Sequence, residues 1–176
     1  MIAIDPQLAR GSCHGGMTFH DRGGPYGATK GAKRVVAVDV TGLPVGAIVV
    51  PASTNDGVAV NELLERIDTT GRLELVLVDR GTNIRQAQRM SLRYGVCVQR
   101  VRWDTPSSSF RPIRHAWKDE VAHGPRPTAH GPRPTAHGQL SRSRRLAKSF
   151  ENTLTSASAW LQTAGASDSG GVFRLE

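Results

Sequence analysis

Three acidic side chains stand where they could hold a divalent cation. Asp5 closes the apolar run MIAID, Asp79 closes ELVLVD, and Glu120 follows Trp117 in HAWKDEVAHG. In open mixed sheets, ligands and catalytic groups gather at the carboxyl ends of the central strands, so the two aspartates can converge. Three carboxylates form a hard oxygen site suited to Mg²⁺ or Mn²⁺, and a pair of such ions supports phosphoryl transfer.

Other acids compete for these roles. Asp39 also lies in an apolar strand pattern and is the second choice for the position given to Asp5. Asp104 and Asp119 fit solvent-facing charges or neighbours of the site. An aspartate at a strand end also commonly caps a turn or a helix, so the residue types alone leave both roles open.

The elements that would position these acids follow from the spacing of apolar residues. Five short runs rich in Val, Ile and Leu predict strands over residues 2–5, 35–40, 45–51, 74–79 and 96–101. The four residues from Thr41 to Pro44 are too few for a crossover helix, so the second and third strands should form an antiparallel hairpin.

Apolar residues at helical spacing occur between and after these runs. The pattern predicts an amphipathic helix over 55–67, capped by Asn55 or Asp56, and a crossover helix over 82–94. Two more helices are expected near the end of the chain, a basic one over 139–151 and an apolar one over 156–164 headed by Thr155. The organisation is therefore a sheet with crossover helices over 1–113, carboxyl-terminal helices over 114–164, and a flexible tail over 165–176.

The net charge of +8 is concentrated in one part of the chain. Between Arg100 and Phe150 there are eleven basic residues and three acidic ones, which accounts for the whole excess. A polyanion releases counterions on meeting such a patch, so nucleic acid is the leading partner, and a merely solvated basic face is the alternative. The sequence contains no run of 18 apolar residues, so it predicts no membrane span. Its two cysteines suit a reduced cytoplasmic setting.

A tandem repeat interrupts the carboxyl-terminal part. AHGPRPT at 122–128 recurs unchanged at 129–135, and its four prolines exclude a regular helix through this segment.

Several segments together resemble a known family. GGPYGATKGAKRVVAVDVTG, LVLVDRG, WKDEVAHG and QLSRSRRLAKSFENTLTSASAWLQTA look like the catalytic domain of bacterial insertion-sequence transposases of the DDE type. That resemblance spans nearly the whole chain, and RRLAKSFE is its most specific piece. It implies an α/β fold, a ribonuclease H-like mixed sheet of about five strands flanked by helices.

The resemblance also implies a reaction. Two ions of Mg²⁺ or Mn²⁺ held by Asp5, Asp79 and Glu120 would activate water to cut the element ends, and then the freed 3′ hydroxyl to attack target DNA. The expected partners are the DNA of the element ends and of the target, with a homodimer on DNA and a nucleoid-associated cytoplasmic location. Expected contacts to the DNA backbone are Lys30, Lys33, Arg34, Arg142, Arg144, Arg145 and Lys148.

Two departures from the family pattern bear on activity. Similar proteins run from EVAHG directly into a QLSRSRR-like stretch, whereas residues 125–138 intervene here. Asp5 also lies close to the start, without the amino-terminal DNA-binding segment usual in such transposases. We therefore expect a decayed or truncated copy; the alternatives are a ribonuclease H-like nuclease, which cuts without joining, and an inactive DNA-binding remnant.

Deleting residues 125–138 should increase activity, because it restores an uninterrupted helix between Glu120 and the basic residues. Donor-DNA cleavage with Mn²⁺, measured on the full chain and on the deletion variant, checks this expectation. Equal and full activity of the two proteins would contradict it.

Overall fold

The fold is taken from a computed structural model that describes residues 1–11, 30–40, 43–69, 71–101, 126–128, 131–133 and 153–169. The predicted basic helix over 139–151 lies outside these residues. Ten elements are present: β1 Ile2–Arg10, β2 Gly31–Asp39, β3 Pro44–Pro51, α1 Asp56–Leu64, β4 Leu75–Val78, α2 Ile84–Tyr94, β5 Cys97–Arg100, β6 Arg126–Thr128, β7 Gly131–Arg133 and α3 Leu154–Ser169.

Five strands form one mixed sheet in the order β3-β2-β1-β4-β5. β1 is antiparallel to β2 and parallel to β4, β2 and β3 form the expected antiparallel hairpin, and β4 and β5 are parallel. The helix α2 connects β4 to β5, as a parallel pair requires. The α/β, ribonuclease H-like fold predicted from the sequence is confirmed.

The first strand is longer than the sequence pattern indicates. β1 does not close at Asp5 but continues to Arg10, because β2 pairs with it over its whole length. β4 pairs with β1 only as far as Ile4, so Pro6, which has no N–H to donate, lies beyond the end of β4. β2 likewise begins at Gly31, where a Cβ atom would overlap the Ala9 carbonyl oxygen.

Side-chain caps set the starts of α1 and α2. The Asn55 side chain accepts a hydrogen bond from the Gly57 N–H at 3.0 Å, as expected of a cap. In α2 the cap is Asn83, whose partner in a capping box is Gln86. α1 ends at Leu64, earlier than the predicted end at Ile67. Beyond Leu64 the backbone N–H groups of Arg66 and Ile67 donate to carbonyls three residues back, so the last turn is tighter than an α-helix.

The last helix differs from its prediction at both ends. Thr153, not Thr155, caps α3, since its Oγ1 accepts the Ser156 N–H at 3.1 Å. The helix continues to Ser169, into the segment expected to be a flexible tail. In the duplicated segment β6 and β7 form a small antiparallel ladder, in agreement with the exclusion of a helix by its prolines. Within the described residues, no helix is both long and apolar enough to cross a membrane.

Helices cover both faces of the sheet. One core joins apolar side chains of α1 and α2 to one face of the strands; it includes Ile4, Val35, Val60, Leu63, Val78 and Met90. A second core, on the opposite face, joins α3 to Ala3, Val36, Val49, Leu77, Ala157 and Leu161. The central strands are therefore buried on both faces, as their continuous apolar runs predict.

We expect Leu161→Ala to lower the free energy of unfolding by about 2–5 kcal/mol, because it leaves a cavity beneath α3 where Leu161 is fully buried. Leu92→Ala is the matched control: Leu92 also lies in a helix but is 87% exposed, so its change should stay within about 0.5 kcal/mol. Urea unfolding of both variants measures the difference. Equal losses would show that α3 does not pack on the sheet.

Candidate active site

The parallel pairing of β1 with β4 brings two of the predicted acids together. Ile2, Ala3 and Ile4 lie opposite Val76, Leu77 and Val78, and Asp5 and Asp79 are the next residues of the two segments. Neighbouring strands lie about 4.8 Å apart, so the two carboxylates occupy adjacent places at one edge of the sheet.

The two aspartates share a face but differ in exposure. Alternation from Ala3 and Leu77, which belong to the core under α3, puts Asp5 and Asp79 on the same face of the sheet. Asp5 is 8% exposed and its Oδ2 is shielded from solvent, whereas Asp79 is exposed. The pair therefore has a buried side and a side open to a substrate.

Asp39 lies at the opposite edge of the sheet. It pairs with Ile2 at the other end of β1, away from Asp5. Its Oδ1 accepts the Leu43 N–H at 3.0 Å, and its own N–H donates to the Leu43 carbonyl at 2.9 Å. Asp39 therefore closes the turn between β2 and β3 and cannot share a site with Asp79.

The turn that follows Asp79 is held from two sides. The Thr82 N–H donates to the Asp79 carbonyl at 3.1 Å, which closes the turn on itself. Arg100, at the end of β5, donates from Nη2 to the Arg80 carbonyl at 3.2 Å. On the other side, Gly81 packs so closely against the Asp56 carboxylate that a Cβ atom would overlap Oδ2. The backbone around Asp79 is thus fixed by neighbouring elements.

Lys33, one of the expected DNA contacts, has its ammonium engaged within the protein. Its Nζ lies 2.6 Å from Asp56 Oδ1 and donates to the Thr54 carbonyl, also at 2.6 Å. The Lys33 side chain is only 12% exposed. These contacts leave little of the ammonium for a phosphate.

Arg34 is buried, although it too is an expected DNA contact. It pairs with Gln7 of β1 and Val49 of β3, and alternation with Val36 puts it on the same face of the sheet as Asp5. Its residue is 6% exposed, and burial lowers the pKa of its guanidinium to about 10. Among the described residues no ion pair offsets this buried charge.

Further basic residues lie at the same edge of the sheet. Lys30 is half-buried beside the start of β2, where its carbonyl accepts the Gly11 N–H at 2.8 Å. Arg10 ends β1, Arg80 follows Asp79, and Arg100 ends β5. Arg100 belongs to the basic stretch noted in the sequence, but Arg10 and Arg80 lie outside it; their signal was a position at or just past the end of a strand.

The donor set fits a hard divalent cation, since Asp5 and Asp79 offer carboxylate oxygens at one edge. The part of the chain that the structure describes adds no third ligand, since it holds no cluster of three or more His, Cys, Asp or Glu. Glu120 and the basic residues Arg142, Arg144, Arg145 and Lys148 lie outside the described residues.

The family described as "Transposase DDE domain" matches residues 1–156, a span that includes the whole five-stranded sheet, Asp5 and Asp79. No curated protein matches the chain. This family acts on DNA in transposition and generally uses divalent metal ions. With the fold and the match in agreement, the chain belongs to the transposase DDE domain family.

Proposed function

We propose that this chain is the catalytic domain of an insertion-sequence transposase that cuts element ends and joins the 3′ ends to target DNA. Asp5, Asp79 and Glu120 would hold two Mg²⁺ or Mn²⁺ ions. The observation that carries the proposal is the adjacent placement of Asp5 and Asp79 past the last β1–β4 pair.

The two aspartates would make different contributions. When bound, divalent ions render a hydroxyl nucleophilic and offset the charge on the phosphoryl oxygens. Asp5 is paired with Val36 of β2 and is only 8% exposed, so its carboxylate has little freedom to move before a ligand arrives. Asp79 is exposed and can meet both the ion and the DNA. A pre-organised and an accessible carboxylate together suit a site that must admit a DNA strand.

The DNA would cross the edge of the sheet where Asp5 and Asp79 lie. Arg80 follows Asp79 directly, whereas Arg10 and Lys30 lie where the β1–β2 ladder extends beyond Asp5, and these charges would hold phosphates without reading bases. We include the predicted contacts Arg142, Arg144, Arg145 and Lys148 in the proposal, and a homodimer on DNA as its assembly.

A DNA-binding remnant without catalysis is the second candidate. The small ladder of β6 and β7 favours this candidate, because it lies in the segment that separates Glu120 from the basic residues. In similar proteins those basic residues follow the glutamate directly. The two candidates differ in chemistry, since only the transposase joins a labelled 3′ end to target DNA. Cleavage without joining would instead indicate a nuclease.

Asp5→Asn and Asp79→Asn should each reduce Mn²⁺-dependent cleavage of element-end DNA by at least about 100-fold, because each removes a charged ligand. DNA binding, measured by fluorescence anisotropy, should persist in both variants. Asp39→Asn is the matched control and should keep the parental cleavage rate, since Asp39 lies at the far edge of the sheet.

The outcomes separate the candidates. If the parental chain cleaves DNA and Asp5→Asn cleaves it at the same rate, the proposed site is refuted. A parental chain that binds DNA but neither cuts nor joins it would support the inactive remnant.

Arg34→Met should raise the midpoint of thermal unfolding. The substitution removes a buried guanidinium that no described acid pairs with, and an apolar side chain of similar length costs less to desolvate. Calorimetry of the variant and of the parent measures this effect. A lower midpoint would show that the Arg34 charge is compensated in the folded protein.

A further inference from the structure

A charged pair links β2 to the start of α1 on the face of the sheet opposite Asp5 and Asp79, next to the turn that follows Asp79. Lys33 Nζ and Asp56 Oδ1 are 2.6 Å apart, and the same Nζ donates to the Thr54 carbonyl at 2.6 Å. The exposed fractions of the two side chains are 12% and 31%. Partial exclusion of water strengthens their attraction relative to an exposed pair. The ion pair therefore holds the Asp56 carboxylate in one orientation.

The second oxygen of that carboxylate rests against Gly81. A Cβ at Gly81 would overlap Asp56 Oδ2, so the absence of a side chain is what permits the contact. Among the described residues, positive φ angles occur at Gly71 and Gly95 but not at Gly81. The backbone conformation of Gly81 does not itself require glycine. We conclude that glycine serves the close approach to Asp56.

Gly81 lies in the turn that begins with Asp79. The Thr82 N–H donates to the Asp79 carbonyl at 3.1 Å, so a shift of Gly81 would be passed to Asp79 through one short turn. Across the same junction, Gln86 of α2 donates to the Asn55 side chain at 3.3 Å and ties the starts of the two helices together. Asp56 is therefore held by its ion pair with Lys33 and by the link between the two helix starts, and the turn at Gly81 packs against it.

We propose that Lys33 and Asp56 are positioning residues for the metal ligand Asp79. Lys33 orients the Asp56 carboxylate, the carboxylate seats Gly81, and the turn presents Asp79 beside Asp5. This inference rests on the proposed function, since it assumes that Asp79 binds the ion. It also assigns Lys33 a role inside the protein in place of a contact to DNA.

The test measures Mn²⁺ binding to the full-length chain without DNA, by the electron paramagnetic resonance signal of free Mn²⁺. Lys33→Met should weaken binding about 10-fold or more, the usual effect of losing a residue that orients a ligand. Arg66→Met is the matched control, because Arg66 and Glu62 form an exposed ion pair on α1. Its Mn²⁺ affinity should equal that of the parent.

A double-mutant cycle tests the contact with Gly81. Gly81→Ala should weaken Mn²⁺ binding about 10- to 100-fold, because its new Cβ displaces the turn from the Asp56 carboxylate. In an Asp56→Ala background, where that carboxylate is absent, Gly81→Ala should cause no further loss. Circular dichroism confirms that each variant is folded, and the Gly81 cycle decides the matter if Lys33→Met fails to fold.

The results distinguish this inference from the proposed function. If Asp5→Asn loses Mn²⁺ binding while Lys33→Met and Gly81→Ala retain it, the positioning role is wrong and the metal site stands. If Asp5→Asn binds Mn²⁺ as tightly as the parent, the metal site itself fails, and the positioning role fails with it. An equal effect of Gly81→Ala in both backgrounds would also overturn the positioning role.

Discussion

The parallel register between β1 and β4 is the constraint on which the candidate site depends. Only three residue pairs define it, from Ile2 and Val76 to Ile4 and Val78. Successive side chains of a strand point to opposite faces, so a slip of one residue would move Asp5 to the face opposite Asp79. Side-chain size opposes such a slip, because Ile4 would leave its core for the opposite one, where the smaller Ala3 now packs.

The same register explains why the charges lie where they do. The end of β4 lies beside the middle of β1, and β1 continues past it along β2 toward the start of β2 at the same end of the sheet. The start of α1 contacts this end through Lys33 and Gly81. Asp5, Arg34 and the Lys33–Asp56 pair are all wholly or partly buried there. Burying charge costs free energy unless an opposite charge offsets it. An edge that collects both signs of charge is thus suited to bind a cation and a polyanion together.

Local sequence patterns predicted the elements well and their lengths less well. The five strands, the hairpin and both crossover helices follow from periodicity and from Gly, Pro and Asn at the boundaries. The pattern ended β1 at Asp5 because a charged residue and Pro6 normally stop a strand. Pairing with β2 carries the strand on to Arg10, and that pairing depends on residues far along the chain.

The sequence alone determined which acids could serve as ligands, because an apolar run that ends in aspartate is visible without any partner. It ranked Asp5 ahead of Asp39 but could not show which of the two lies beside Asp79, since both interrupt such runs. Only the tertiary structure separated them, by placing Asp39 opposite Ile2 and Asp5 next to Asp79. The ion pair of Lys33 and the burial of Arg34 were also decided there, since both depend on contacts between segments that one-dimensional patterns do not record.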